Sequence, residues 1–286
     1  MTSIIETGPQ HAAAADRGEE DRALKTRQRG MWALGDYSAV ATEIIAGFGP
    51  ILVQAAGIAS GQLVLDVAAG SGNIALPAAR TGARVTASDL TPELLEVGRA
   101  RAEADGISLA WETGDAEALP YADAQFDVVT SCVGAMFAPH HQPTAEELVR
   151  VCKPGGTIAL IAWTPAGFIG QMFATMKPYA PPPPPGAQPP PLWGDEAHVR
   201  SLLGDRVEIL RTETAGLPVS HYRSGAEFRD YFKANYGPTI AAYRGIAGDP
   251  DKVAALDEAL AELGDRFGAG TGSMEWEYLL LVARRR

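Results

Sequence analysis

The chain has 286 residues, a formal net charge of -11, 46% hydrophobic and 21% charged residues, the balance of a globular protein with ample core. The acidic excess argues against nucleic acid as a partner, because the only dense basic run is Arg284, Arg285 and Arg286 at the end, and no apolar run reaches the roughly 18 residues of a membrane span. The opening MTSIIETGPQ lacks the basic and apolar stretches of a secretory signal, and the two cysteines, Cys132 and Cys152, sit amid apolar residues as free thiols, so the expected location is a reducing cytoplasm.

Residues 1–20 are polar and alanine-rich without a period, and they read as a loose, flexible terminus. Residues 21–57 suggest two helical stretches broken at Gly35-Asp36, the second with Ser38 as its N-cap. From residue 58 to 163 short apolar runs alternate with helical patterns: strands over 62–67, 84–88, 108–112, 126–132 and 157–163, and helices over 73–81, 92–105 and 144–151. Such alternation predicts βαβ units, hence an α/β fold with a mostly parallel sheet and helices on both faces. Lys153-Pro154-Gly155-Gly156 reads as a turn into the last of these strands.

The pattern breaks after Trp163. The run PPPPPGAQPPP predicts polyproline II and loop, followed by helical patches over 196–203, 226–235 and 251–267. Two β-like runs, 206–213 and 276–283, are expected to pair with each other at the far edge of the sheet. Residues 164–275 thus form an insertion or cover, rich in Phe168, Phe173, Tyr179, Trp193, Phe228, Tyr231, Tyr236, Met172 and Met176, and residues 276–286 return to the core sheet as its final strand.

Open α/β sheets bind ligands at the carboxyl ends of their strands. Three successive strands end near a carboxylate: Asp66 before Ala68-Ala69-Gly70-Ser71-Gly72, then Asp89-Leu90, then Asp115-Ala116. Gly70 to Ala75 also satisfies G-x-G-x-x-A, with Asp89 at a distance suited to a ribose, so a nicotinamide-dependent oxidoreductase stays open on this motif alone. Asp66 ahead of the glycines is awkward for a pyrophosphate and unobjectionable for an ammonium or sulfonium.

The run LDVAAGSGN, then Asp89, then GDAEALPYADAQFDVV, then RVCKPGG before an apolar strand resembles the class I S-adenosylmethionine-dependent methyltransferases. Within them it is most similar to the type 11 domain and the ubiquinone/menaquinone C-methyltransferases. The resemblance implies a Rossmann-like, seven-stranded, mostly parallel sheet closed by a C-terminal antiparallel hairpin, and S-adenosyl-L-methionine as cofactor. It places the methionine moiety on Asp66 and the backbone of Ala68 and Gly70 within the turn that ends at Gly72, the ribose on Asp89, and the adenine on Leu90, Asp115 and Ala116. Residues 131–133, with Cys132 among them, would lie beside the sulfonium, and Tyr37 with Trp32 would fold an N-terminal helical lid (21–57) over the donor. Ala68 departs from the glycine that many members carry there.

The expected activity is methyl transfer to a small, apolar or aromatic metabolite at O, C or N by a monomer or homodimer, with no metal, no nucleic acid and no membrane. Alternatives are a quinone-biosynthesis C-methyltransferase, an oxidoreductase, and a catalytically inactive binding protein. Candidate general bases are His140 and His141 beyond the fourth strand, and His221 on a β-like run.

Overall fold

The computed structural model describes residues 9–286, with side chains described from Glu19 onward. Its helices are α1 (Pro9–Trp32), α2 (Tyr37–Ala39), α3 (Phe48–Ala56), α4 (Ala75–Arg80), α5 (Pro92–Ala104), α6 (His141–Val151), α7 (Phe168–Met176), α8 (Glu196–Leu203), α9 (Gly225–Asn235), α10 (Gly237–Ile246) and α11 (Pro250–Arg266). The strands are β1 (Leu63–Val67), β2 (Arg84–Asp89), β3 (Ala110–Thr113), β4 (Phe126–Cys132), β5 (Cys152–Trp163), β6 (Val207–Val219) and β7 (Met274–Arg285). They form one seven-stranded sheet in the order β3-β2-β1-β4-β5-β7-β6.

The first five strands of that order run parallel, and β7 pairs antiparallel with both β5 and β6. This is the Rossmann-like sheet with a C-terminal antiparallel pair that the alternation and the last two β-like runs predict. Helices cover both faces, so the central strands carry apolar residues on both sides: Val64, Leu65, Val128, Val129, Ile158 and Ala159 are all buried. The edge strand β6 instead carries Glu208, Arg211 and Glu213, charges that discourage pairing with another chain.

Several elements differ from the sequence reading. Residues 1–8 of the expected loose terminus lie outside the described residues, and from Pro9 the backbone is helical. The N-cap after the Gly35 turn is Asp36, whose Oδ1 accepts the Ala39 N–H at 3.1 Å; Ser38 lies inside the helix, because Gly35 turns the chain at φ 67° and leaves Asp36 extended ahead of the first turn. The expected continuous second helix passes through a π-helical turn at Val40–Ile44 and bends by 73° before α3. Among the described residues no single helix is long and apolar enough to cross a membrane.

The Lys153–Gly156 turn lies within β5. Phe126 pairs with Cys152 and Val128 with Thr157, so the intervening residues bulge outward, with Gly155 at φ 75°. Asp127 anchors the bulge: its Oδ1 accepts from Lys153 Nζ at 2.6 Å, and its Oδ2 accepts the Leu63 N–H at the start of β1 at 2.8 Å. Helix α10 fills residues for which periodicity suggested none. His221 falls in the loop after β6 rather than on a strand, since that strand ends at Val219.

The carboxylate that ends β1 is part of the core. Asp66 is 1% exposed; its Oδ2 accepts the Ala75 N–H at the start of α4 at 3.1 Å, and its Oδ1 accepts the Thr130 hydroxyl of β4 at 3.0 Å. Burial lifts this carboxyl to about 7 against the opposing pull of those two donors, and the charge of Asp89 adds to the lift. Nearby, Gly98 lets α5 settle on the turn after β1, for a Cβ there would lie 2.4 Å from the Trp111 ring and 3.0 Å from the Ser71 carbonyl carbon.

Gly98→Ala should therefore lower the unfolding free energy by about 1–3 kcal/mol through overpacking, measured by urea denaturation. Gly248→Ala, where a Cβ meets nothing within 4 Å, serves as the neutral control. Between 3.8 and about 7 the folded chain retains the Asp66 proton that the unfolded chain has lost, so this group makes stability fall as pH rises through that window. Asp66→Asn should flatten that part of the stability profile, and an unchanged slope would show that Asp66 ionises freely in the fold.

Candidate functional site

The strand order reverses direction between β1 and β4, and their carboxyl ends open the crevice where α/β sheets take ligands. Beyond β1 the chain turns through Ala68 at φ 53° and Gly70 at φ 54°; beyond β4 it turns through Val133 at φ 43°. A left-handed backbone is costly for alanine and more so for the β-branched valine, and such strain gathers at functional sites. The two turns lock together, since a Cβ on Gly134 would lie 2.4 Å from the Ala68 carbonyl oxygen. The Ser131 hydroxyl clips them further, donating to Val67 O at 2.7 Å and accepting the Ala135 N–H at 2.9 Å.

Asp89 at the end of β2 ties the turn after β1 to the start of α5. Its Oδ2 accepts the Gly70 N–H and its Oδ1 the Thr91 N–H, both at 2.8 Å. Burial raises this carboxyl above its usual range, while the two N–H groups oppose the rise. After β3, Asp115 Oδ1 accepts the Glu117 N–H at 3.0 Å and Lys25 Nζ at 3.1 Å.

Residues of these turns line a half-open cavity with about 640 Å³ of space, part of it open to solvent. Ala68, Gly70, Asp89, Leu90, Asp115 and Ala116 line it from the strand ends, and Tyr37 lines it from α2. Of the expected cofactor-binding residues, Asp66, Gly72 and Cys132 are not in the lining. Asp66 spends its oxygens on Ala75 and Thr130, and Gly72 sits beneath the turn against Trp111 and Leu76. Cys132 ends β4, its thiol held well above the ordinary range by burial and by Asp66.

Helix α1 supplies a further wall: Trp32, expected in a lid over the donor, lines the cavity together with Lys25 and Gln28, which the sequence reading does not name. Lys25 Nζ lies 2.7 Å from Glu117 Oε2 and 3.1 Å from Asp115 Oδ1, Gln28 donates to Phe137 O at 3.3 Å, and Arg29 pairs with Glu93 at 2.9 Å. These contacts latch α1 over the opening. For Lys25 and Gln28 the signal in the sequence is their spacing with Trp32 on one helical face, which in a polar helix points to no partner.

Tyr37 also lines a second, smaller cavity with about 300 Å³ of space, part of it open to solvent, that shares the wall residues Tyr37, Val133 and Phe137 with the first. Val40, Trp163, Ile169, Phe232, Tyr236 and Trp276 complete most of its lining. Of the aromatic and methionine residues expected to cover an acceptor, only Tyr236 lies there; Phe168, Phe228, Trp193, Met172 and Met176 are buried core. Phe168 stacks on Trp276 with ring centroids 5.1 Å apart.

None of the candidate bases lines either cavity. His140 precedes α6 with Nδ1 3.0 Å from Glu117 Oε2. His141 is fully buried with Nδ1 3.0 Å from His198 Nε2, and burial together with that neighbour pushes it down to about 4. His221 faces Glu43 at 3.8 Å. Asp21, Glu117 and His140 offer ligand atoms within 4.8 Å of one another, but Lys25 already supplies the positive charge on Glu117. The proline run packs on this side as well, with the Gln188 N–H donating to Pro139 O at 2.9 Å.

Comparison with known proteins agrees with this geometry. Residues 65–160 match the family described as a methyltransferase domain. An uncharacterized protein of Mycobacterium tuberculosis is 53% identical over 267 residues, covering 93% of this chain and 97% of its own. Demethylmenaquinone methyltransferase of Deinococcus radiodurans is 40% identical over 119 residues, 40% of this chain and 49% of that protein. In fold, the chain is similar to geranyl diphosphate C-methyltransferase from Streptomyces coelicolor, with a TM-score of 0.52 and 17% identity over 84% of this chain and 76% of that one. Residues 65–160 belong to the S-adenosylmethionine-dependent methyltransferase domain family, whose cofactor is S-adenosyl-L-methionine.

Proposed function

We propose that the chain transfers a methyl group to a small, apolar or aromatic acceptor held in the second cavity, with the donor in the first. The observation that carries this reading is the shared wall of Tyr37, Val133 and Phe137, which brings a polar, carboxylate-bearing cavity against an aromatic one at the end of β4. The donor supplies a methyl group already activated on a sulfonium, so the protein's part is positioning and exclusion of water.

The residues present suit such a donor. Each oxygen of Asp89 accepts one backbone N–H and retains capacity for a ribose hydroxyl. The donors described on Asp115 all meet Oδ1, which leaves Oδ2 for an adenine amine. Leu90 and Leu94 give the adenine an apolar wall, and the left-handed turn at Ala68 and Gly70 lets backbone approach the methionine end. Trp32, packed edge-on against Tyr37 at 5.4 Å and Phe137 at 4.7 Å, closes the join between the cavities.

A second reading, a quinone-type acceptor methylated on carbon, is favoured by the Deinococcus relative, whose match is confined to 119 residues.

Isothermal titration should show S-adenosylhomocysteine binding to the wild type, and Asp89→Ala should weaken it about 10- to 100-fold, the worth of hydrogen bonds to a charged group. Saturable binding of NADH in place of S-adenosylhomocysteine would overturn the donor assignment. Incubation with trideuteromethyl-labelled donor and a pool of small apolar metabolites should yield products carrying the label. Donor binding without any labelled product from the pool would favour a binding protein over an enzyme, and selective labelling of a demethylated quinone would favour the second reading.

A further inference from the structure

The second cavity contains no aspartate, glutamate, histidine, lysine or arginine in its lining. Among its lining residues Tyr37, Tyr236, Trp163 and Trp276 carry side-chain hydrogen-bond donors. Trp276 is 1% exposed, and its Nε1 has no hydrogen-bond partner among the described residues. An indole nitrogen can only donate, so an acceptor oxygen that reached Trp276 Nε1 would pair a buried donor whose isolation costs about 1–3 kcal/mol.

The two phenols are donors as well. Burial is the largest cause raising both above the ordinary tyrosine range; Cys132 and Asp89 add to it at Tyr37, and Tyr37 adds to it at Tyr236. Asp89 and Cys132 are not in the lining of the second cavity, so that lining offers no carboxylate or imidazole to take a proton from a neutral hydroxyl. Tyr37 reaches both cavities: a Cβ on Gly70 would lie 3.6 Å from its ring, and its centroid is 6.2 Å from that of Tyr236.

We propose that the aromatic cavity selects a flat, apolar acceptor whose reacting oxygen enters already ionised, as a phenolate or enolate, and that Tyr37, Tyr236 and Trp276 serve as neutral hydrogen-bond donors to that oxyanion. The inference rests on the assignment of the adjoining cavity to the methyl donor. In an acceptor of this kind one oxygen lone pair forms the new O–CH₃ bond while the S–CH₃ bond breaks and its electron pair stays on sulfur. No proton has to leave, which matches a site with donors and no base. The negative charge of Asp89 near Tyr37 disfavours an anion in the absence of donor, so the anion should bind after a cationic donor.

The test uses the full chain saturated with sinefungin, a cationic donor analogue, and a nitrophenol whose ionised form absorbs in the visible. The expected result is that the bound nitrophenol is ionised at least tenfold more than in solution at the same pH. Tyr236→Phe and Trp276→Phe should each reduce that excess while sinefungin affinity is unchanged. A nitrophenol that binds in its neutral form, binds without change in its ionisation, or does not bind to the sinefungin complex would overturn the inference. Failure of sinefungin itself to bind would instead remove the donor assignment on which it rests.

Discussion

The Asp89 carboxylate is the constraint on which the rest of the site depends. It accepts the Gly70 N–H from the turn after β1 and the Thr91 N–H from the start of α5. Two charge-assisted hydrogen bonds thereby hold neighbouring strand ends at one distance. Without them the left-handed turn at Ala68 and Gly70 would have no reason to keep its strained shape. Because the group is buried, its pairing is obligatory: an unpaired carboxylate there would cost more than the turn gains.

From that fixed point the site grows outward by contact. Gly134 packs on the Ala68 carbonyl, so the turn after β4 inherits the geometry of the turn after β1. Val133 and Phe137, carried on that second turn, then form the wall between the polar and the aromatic cavity. Helix α1 closes the polar side through Lys25, whose ammonium joins Asp115 and Glu117 after β3. Donor-side and acceptor-side chemistry are thus separated by a few residues whose positions follow from one buried carboxylate.

The reading of strand-end carboxylates from sequence was uneven for a physical reason. Asp89 and Asp115 line the cavity, whereas Asp66, in the same pattern, turns inward to serve α4 and β4. By register Asp66 pairs with Ala87 and so shares a face of the sheet with Asp89; it sits further back from the strand ends, where the start of α4 and Thr130 meet it instead of the crevice. The histidines illustrate the converse: His140 and His141 follow β4 closely in sequence, yet the short turn at Ala135–Phe137 carries them past the cavity to Glu117 and His198.

The local pattern of the chain determined the βαβ core, the glycine turn, the carboxylates after β2 and β3, and the pairing of the last two strands, because each of these is written in periodicity and turn chemistry over a few residues. Only the tertiary structure decided that Lys25 and Gln28 of α1 join the cavity wall, that Tyr236 rather than Phe168 or Phe228 lines the second one, and that Trp276, a buried donor with no partner among the described residues, lines it too. Those outcomes depend on which of several equally apolar faces meets which neighbour. Hydrophobic burial is non-directional, so it drives all of those faces inward without ranking them; the sheet's twist and the register of β5, β6 and β7 make the choice.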